Sequence, residues 1–187
     1  MRIIAGKFKG KNLSFLKSST TRPLKDSVKE NIFNVIAHSN LFNIDLKKSN
    51  VLDLYSGIGS FGLECISREV KKITFVEKNI SAVKILRKNL THLKINNNAS
   101  VVVDDVLNFL KKDNSEKFEI IFLDPPFAEN YYIKDLELIK KKQIYTKNHV
   151  IIIHREDKSS DDLNMILNPL VIKKYRRSKI IFAKFLN

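Results

Sequence analysis

The stretch Val51-Leu52-Asp53-Leu54-Tyr55-Ser56-Gly57-Ile58-Gly59-Ser60-Phe61-Gly62 decides the fold. Its first five residues read as a buried strand, Ser56-Gly57 closes it, and Phe61–Arg68 continues as a helix. Further along, Ile73–Val76 reads as a second strand ending at Glu77. Asn79 or Ser81 is placed to cap a helix through Asn89, with Val83, Leu86 and Leu90 spaced to face a sheet. Val101–Val103 is a third strand, followed by a short helix carrying Val106, Phe109 and Leu110. Glu119–Leu123 is a fourth, stopped by Asp124-Pro125-Pro126 because proline cannot continue a central ladder. Val150–Ile153 is a fifth. Short apolar runs alternating with helical patterns are the signature of βαβ units and a parallel sheet. Near-continuous β-branched runs indicate strands covered on both faces.

The two ends read differently. Arg2–Ala5 and Lys11–Leu13, separated by Gly6 and Gly10, predict a small basic hairpin. Asp26 is expected to cap a helix through about Ala37, with Val28, Ile32, Phe33 and Ile36 as its apolar stripe. Val171–Arg176 and Ile180–Phe185 flank Arg177-Ser178-Lys179 and predict a closing antiparallel hairpin. The expected architecture is an open α/β sheet with a basic N-terminal hairpin extension over 1–20 and one main domain over 21–187. At 187 residues, 43% hydrophobic and 29% charged, the chain can bury a sizeable core, which excludes global disorder. No apolar run exceeds four residues, far short of the roughly 18 that span a bilayer. The opening Met1–Lys7 is no secretory signal, and the single cysteine, Cys65, excludes an internal disulfide. Together these predict a soluble, cytoplasmic protein.

The formal net charge is +14, and its distribution carries more than its total. Residues 1–50 hold +7, residues 168–187 hold +6, and the 117 residues between hold only +1. The many lysines and asparagines could reflect a biased genome, but that would spread the charge evenly. Concentration at both ends predicts an electrostatic footprint for a polyanion such as nucleic acid.

Gly57-Ile58-Gly59-Ser60-Phe61-Gly62 is a G-x-G-x-x-G loop between strand and helix, and Glu77 follows Gly57 by 20 residues. Taken alone, this matches a dinucleotide fingerprint with Glu77 on a ribose. Asp53, four residues before the first glycine, argues otherwise, because a carboxylate there would repel a pyrophosphate. S-adenosylmethionine has no phosphate, and its ammonium and sulfonium are cationic, so an acid beside the turn suits it. Glu77 would still bind ribose hydroxyls, and Asp105 would accept from the adenine amino group. A purely structural reading stays open, in which the glycines tighten a turn and Asp53 caps local N–H groups.

The second constellation is Asp124-Pro125-Pro126-Phe127 at the carboxyl end of the fourth strand, the edge where open α/β sheets place ligands. Two prolines fix the backbone, so the Asp124 side chain and the Pro125 carbonyl can form a rigid pair of acceptors. Such a pair can orient the two N–H donors of a nucleobase exocyclic amine and aim its lone pair at a methyl carbon. Phe127 would stack on an extruded base. The structural alternative is a proline turn after a buried strand. His38, His92, His149 and His154 are scattered without metal spacing, so no metal site is expected. His154 is read as a surface or packing residue, and Cys65 as core.

On these residues the sequence resembles the bacterial 16S ribosomal RNA guanine-N2 methyltransferases of class I. Arg2-Ile3-Ile4-Ala5-Gly6 with Gly10-Lys11 looks like the family's opening motif. Thr21-Arg22-Pro23, Val28-Lys29-Glu30 and Phe33-Asn34 look like its second segment. Leu52–Gly57 with Gly59, Gly62, Leu63, Glu64 and Ser67-Arg68 resembles its cofactor loop, and Asp124–Phe127 its D-P-P-F. The resemblance implies a Rossmann-like class I methyltransferase fold with a mostly parallel seven-stranded sheet. It implies S-adenosyl-L-methionine held by Asp53, Tyr55, Ser56, Gly57, Gly59, Gly62, Glu77, Asp105 and Val106. Catalysis would fall to Asp124, Pro125, Pro126 and Phe127. The RNA-facing set would be Arg2, Lys7, Lys11, Arg22, Pro23, Lys29 and Glu30. The implied partner is 16S rRNA within a small ribosomal subunit or its assembly intermediate. Three positions depart from the family: Leu24 stands where Thr is expected, Ser27 where Arg is, and His154 where an acid is.

Other readings compete. An adenine-N6 methyltransferase needs only the same amino group. A nicotinamide oxidoreductase fits the glycines and Glu77 but leaves Asp53, the D-P-P-F turn and the terminal charge unexplained. A non-catalytic rRNA-binding assembly factor would keep the fold and the charge.

Overall fold

Seven strands form one sheet in the order β3-β2-β1-β4-β5-β7-β6. The structure is a computed structural model describing residues 1–15, 24–95, 97–113, 115–126, 130–159 and 162–186. The strands are β1 (Asn50–Leu54), β2 (Lys72–Glu77), β3 (Ala99–Val103), β4 (Phe118–Leu123), β5 (Tyr145–Glu156), β6 (Leu167–Tyr175) and β7 (Ser178–Phe185). The pairs β1–β2, β1–β4, β2–β3 and β4–β5 are parallel, while β7 runs antiparallel to both β5 and β6. This is the expected α/β sheet with its closing hairpin. The helices are α1 (Asp26–His38), α2 (Ser60–Ser67), α3 (Ile80–His92), α4 (Val106–Lys111) and α5 (Tyr132–Lys142).

Side chains alternate across a strand, so each central strand feeds two cores. Val51, Ile73, Phe75, Ile120, Phe122, Val150 and Ile152 pack with α1, α2 and α3 on one face. Leu52, Leu54, Val76, Ile121, Leu123, Ile151 and Ile153 pack with α4 and α5 on the other. Phe61 stacks on both Phe33 and Phe122, at 5.5 and 4.1 Å between centroids, and thereby ties α1 and α2 to β4.

Several elements differ from expectation. Asp26 does not cap α1: Lys25 is the cap residue and makes no side-chain cap bond. The Asp26 carboxylate instead lies 3.5 Å from both Arg2 and Lys29. No helix is read from the sequence between the D-P-P-F turn and the fifth strand, yet α5 lies there. Its buried face, Tyr132, Asp135, Leu136 and Ile139, includes an acid that interrupts the apolar stripe. Strand β5 starts five residues earlier than its apolar run, because Tyr145 pairs with Phe118 ahead of a register shift. β6 includes Pro169, tolerated on an edge strand beside a second shift. Asn79, not Ser81, caps α3, accepting from the Ala82 N–H at 3.1 Å.

The basic N-terminal segment closes as a hairpin with one bridge, Arg2 to Asn12. Ile3 N–H donates to Lys11 O, Gly10 N–H to Ile3 O and Leu13 N–H to Met1 O. It docks on α2 through backbone groups: Ile4 and Ala5 donate to the buried Glu64 carboxylate at 2.8 and 3.0 Å, and Lys7 N–H to Ser67 O. Gly6 has φ +81°, and a Cβ there would stand 1.9 Å from Ser67 O. Only glycine permits both the turn and that approach.

Candidate active site

At the carboxyl ends of the parallel strands lies a cavity of about 420 Å³. It brings together Asp53, Tyr55, Ser56, Gly57, Glu77, Asp105, Val106, Asp124, Pro125 and Pro126 from the sequence-based sets. Gly59 and Gly62 lie just behind the wall: a Cβ on Gly62 would fall 2.2 Å from the Phe75 ring, so this glycine lets α2 seat against β2. Phe127 and the segment Thr21-Arg22-Pro23 fall outside the described residues.

Each acid is held differently. Asp53 is buried at the end of β1, and its Oδ2 accepts from the Gly62 N–H at 3.0 Å. Burial drives its carboxyl well above the ordinary value, against the Gly62 bond and with Asp124 and Glu77 reinforcing the rise. Asp53 Oδ1, Ser56 Oγ and Ser60 Oγ, all on residues lining the cavity, are buried without hydrogen-bond partners among the described residues. Glu77 accepts from Gly57 N–H (2.8 Å) and Asn79 N–H (2.7 Å), which fixes its carboxylate while leaving further lone pairs. Asp105 caps α4 by accepting from Leu107 N–H at 3.0 Å, and its other oxygen meets Lys78 at 3.2 Å. The Tyr55 hydroxyl donates to Asp135, whose carboxyl burial pushes up to about 6.

The Asp124–Pro126 turn has two partners that the sequence did not announce. His154, at the end of β5, places Nδ1 2.8 Å from Asp124 Oδ1 and lines the cavity. Its reading as a packing residue is therefore corrected. The next residue, the buried Arg155, donates to Pro126 O at 3.1 Å and Asn130 Oδ1 at 3.3 Å, with its guanidinium 4.7 Å from the Tyr132 ring centroid. It ties the turn to Asn130. The departure Leu24 also lines the cavity. The only advance signal for this arrangement was a basic pair at the carboxyl end of an apolar strand.

The RNA-facing set is only partly exposed. Arg2, Lys7, Lys11 and Glu30 lie on the surface. Lys29 does not: it is fully buried and donates to Arg2 O at 2.6 Å, and burial lowers its ammonium below the usual lysine range. As placed it holds the hairpin to α1, so its expected RNA-facing role is corrected to a structural one. No group of three or more acid, histidine or cysteine side chains able to hold a metal occurs among the described residues. Among those residues no helix is long and apolar enough to cross a membrane.

The profile of a family described as conserved hypothetical protein 95 matches residues 1–184. The chain belongs to this family. A relative named ribosomal RNA small subunit methyltransferase D, from Haemophilus influenzae, is 36% identical over 158 residues, covering 83% of this chain and 79% of its own. One of the same name from Buchnera aphidicola subsp. Baizongia pistaciae is 31% identical, covering 100% and 92%. A solved structure of a proposed methyltransferase from Escherichia coli superposes with TM-score 0.84 at 25% identity, covering 99% and 97%. These relatives bear out the resemblance to small-subunit rRNA methyltransferases, and the fold is of the Rossmann-like class I kind.

Within this conserved hypothetical protein 95 fold, the cavity's donor set fits S-adenosylmethionine. Asp53 Oδ1 is an acceptor for an ammonium, Ser56 and Ser60 supply hydroxyl donors for a carboxylate, and Glu77 suits ribose hydroxyls. Asp105 and Val106, the residues the resemblance assigns to the cofactor, line the same cavity. A dinucleotide fits less well, because its pyrophosphate would meet the buried Asp53 carboxyl.

Proposed function

We propose that this chain transfers the methyl group of S-adenosylmethionine to the exocyclic N2 amine of a guanine in small-subunit 16S ribosomal RNA. The observation that carries the reading is the Asp124–Pro126 turn, fixed by Arg155 and His154 and facing the same cavity as Asp53 and Glu77. When bound, the cofactor supplies an electrophilic methyl on a sulfonium. The chain's own groups do the rest by positioning and electrostatics. In the tautomer that carries its proton on Nδ1, His154 donates to Asp124 Oδ1 and leaves the second oxygen for a substrate N–H. The Pro125 carbonyl accepts the other N–H. Held so, the amine directs its lone pair at the methyl, and the proton it sheds after transfer is accepted at Asp124 or by water. Asp124 need not be a strong base, because the alkylated nitrogen is acidic. The role assigned to Phe127, which follows Pro126 in the sequence, is to stack on the extruded base.

The names of the relatives support rRNA as substrate. Guanine N2 rests on the resemblance, and the small ribosomal subunit or an assembly intermediate is the proposed setting. The proposed division places a basic extension at 1–20 and the methyltransferase domain at 21–187. Transfer of labelled methyl to small-subunit rRNA tests the reading. Asp124→Ala is expected to cut transfer at least about a hundredfold while calorimetric binding of S-adenosylmethionine is nearly unchanged. Undiminished transfer would overturn it.

A further inference from the structure

A second, smaller recess opens on the other side of His154. It has a volume of about 30 Å³ and is lined by Lys25, Val28, His154, Tyr175, Arg176 and Arg177. Such a void takes two oxygens but no nucleobase. Lys25, Arg176 and Arg177 are exposed, and none makes an ion pair among the described residues. Elsewhere basic side chains do find acids, as Lys174 does with Asp157 and Lys112 with Asp104. Tyr175 Oη is buried and has no hydrogen-bond partner among the described residues. A buried hydroxyl left unpaired costs free energy, so its retention beside three cations needs an explanation. The surrounding segment, residues 168–187, contains no acidic side chain at all. His154 lines both this recess and the main cavity, where it holds Asp124.

From this arrangement we infer that Lys25, Tyr175, Arg176 and Arg177 form a subsite for one phosphodiester of the RNA strand whose base enters the main cavity. The two non-bridging oxygens of a phosphodiester match the size of the void. The Arg176 and Arg177 guanidiniums neutralise it, and the Tyr175 hydroxyl donates the hydrogen bond it lacks in the free protein. One imidazole separates phosphate and base sites, which sets the register of the strand relative to Asp124. The inference rests on the reading of this chain as an RNA methyltransferase.

The test is steady-state methyl transfer to small-subunit rRNA by the full chain, with melting curves and S-adenosylmethionine affinity measured in parallel. Tyr175→Phe is expected to raise KM for RNA about three- to tenfold, with kcat and cofactor affinity unchanged. Its melting temperature should stay level or rise, since the substitution removes an unpaired buried hydroxyl. Arg176→Ala/Arg177→Ala should raise KM further and lower the salt slope of log KM by about one for each phosphate no longer neutralised. Adding Tyr175→Phe to that double variant should then have little further effect, because the phosphate is no longer seated. Equal KM for Tyr175→Phe and wild type, full additivity, or a raised KM accompanied by a lower melting temperature would each overturn the subsite. Absence of RNA methylation by the wild type would overturn the proposed function and the subsite with it. Transfer by the wild type with unaltered variants would overturn the subsite alone.

Discussion

At Asp53 a buried carboxyl, raised well above its ordinary value by desolvation, stands where the proposed cofactor would bring an ammonium. A cation binds the ionised form, so binding releases a proton and affinity rises with pH through the Asp53 titration. Calorimetry across pH should show S-adenosylmethionine affinity falling toward acid for the wild type. Asp53→Asn should bind weakly with a flattened pH dependence. It should also melt higher near neutral pH, because a carboxyl whose folded pKa is raised destabilises the fold as pH rises above the unfolded value. A second residue-scale expectation concerns His154. His154→Ala should lower kcat about tenfold with cofactor affinity unchanged, and His154→Asn, which keeps a donor near Nδ1, should recover most of it. Equal activity of both variants would remove His154 from the positioning role. Asp53, the glycines and Glu77 were legible in the sequence because their spacing along one βαβ unit fixes their relation. His154 was not, since its partner lies 30 residues away, just past the end of another strand, and only parallel pairing of β4 with β5 brings the two together.

At the scale of elements, the N-terminal hairpin is fastened to α2 almost wholly by backbone groups meeting Glu64 and Ser67. Gly6→Ala combines an unfavourable positive φ with a clash against a carbonyl that cannot move aside. It should destabilise the protein by roughly 2 kcal/mol or more, read as a lower denaturation midpoint. A midpoint unchanged from wild type would show that the hairpin contributes nothing to the fold. The hairpin's glycines were visible in the sequence, but its docking site was not, because no pattern along the chain reports backbone-to-carboxylate bonds. Lys29 shows the same limit: the resemblance set it among the RNA-facing residues, and the depth of α1 in the core decided otherwise. Helix α5 escaped notice because Asp135, kept inside by the Tyr55 hydroxyl, breaks an otherwise regular apolar stripe.

For the molecule as a whole, the near-neutral middle of the chain carries β1 to β5 and most of the cavity lining, and the excess charge lies at the two ends, the second of which forms the closing hairpin. The closing hairpin brings Arg176 and Arg177 to the recess behind His154. The strand order was legible only in part, since alternating runs indicate a parallel sheet but not which strands are neighbours. The account's central claim is the transfer of one methyl group to guanine N2 in small-subunit rRNA. Mass spectrometry of that rRNA, from a strain lacking the gene for this chain, tests it most directly. One N2-methylguanosine should be missing, restored by the wild-type chain and not by Asp124→Ala. An unchanged set of modifications, or a missing N6-methyladenosine in its place, would contradict the claim.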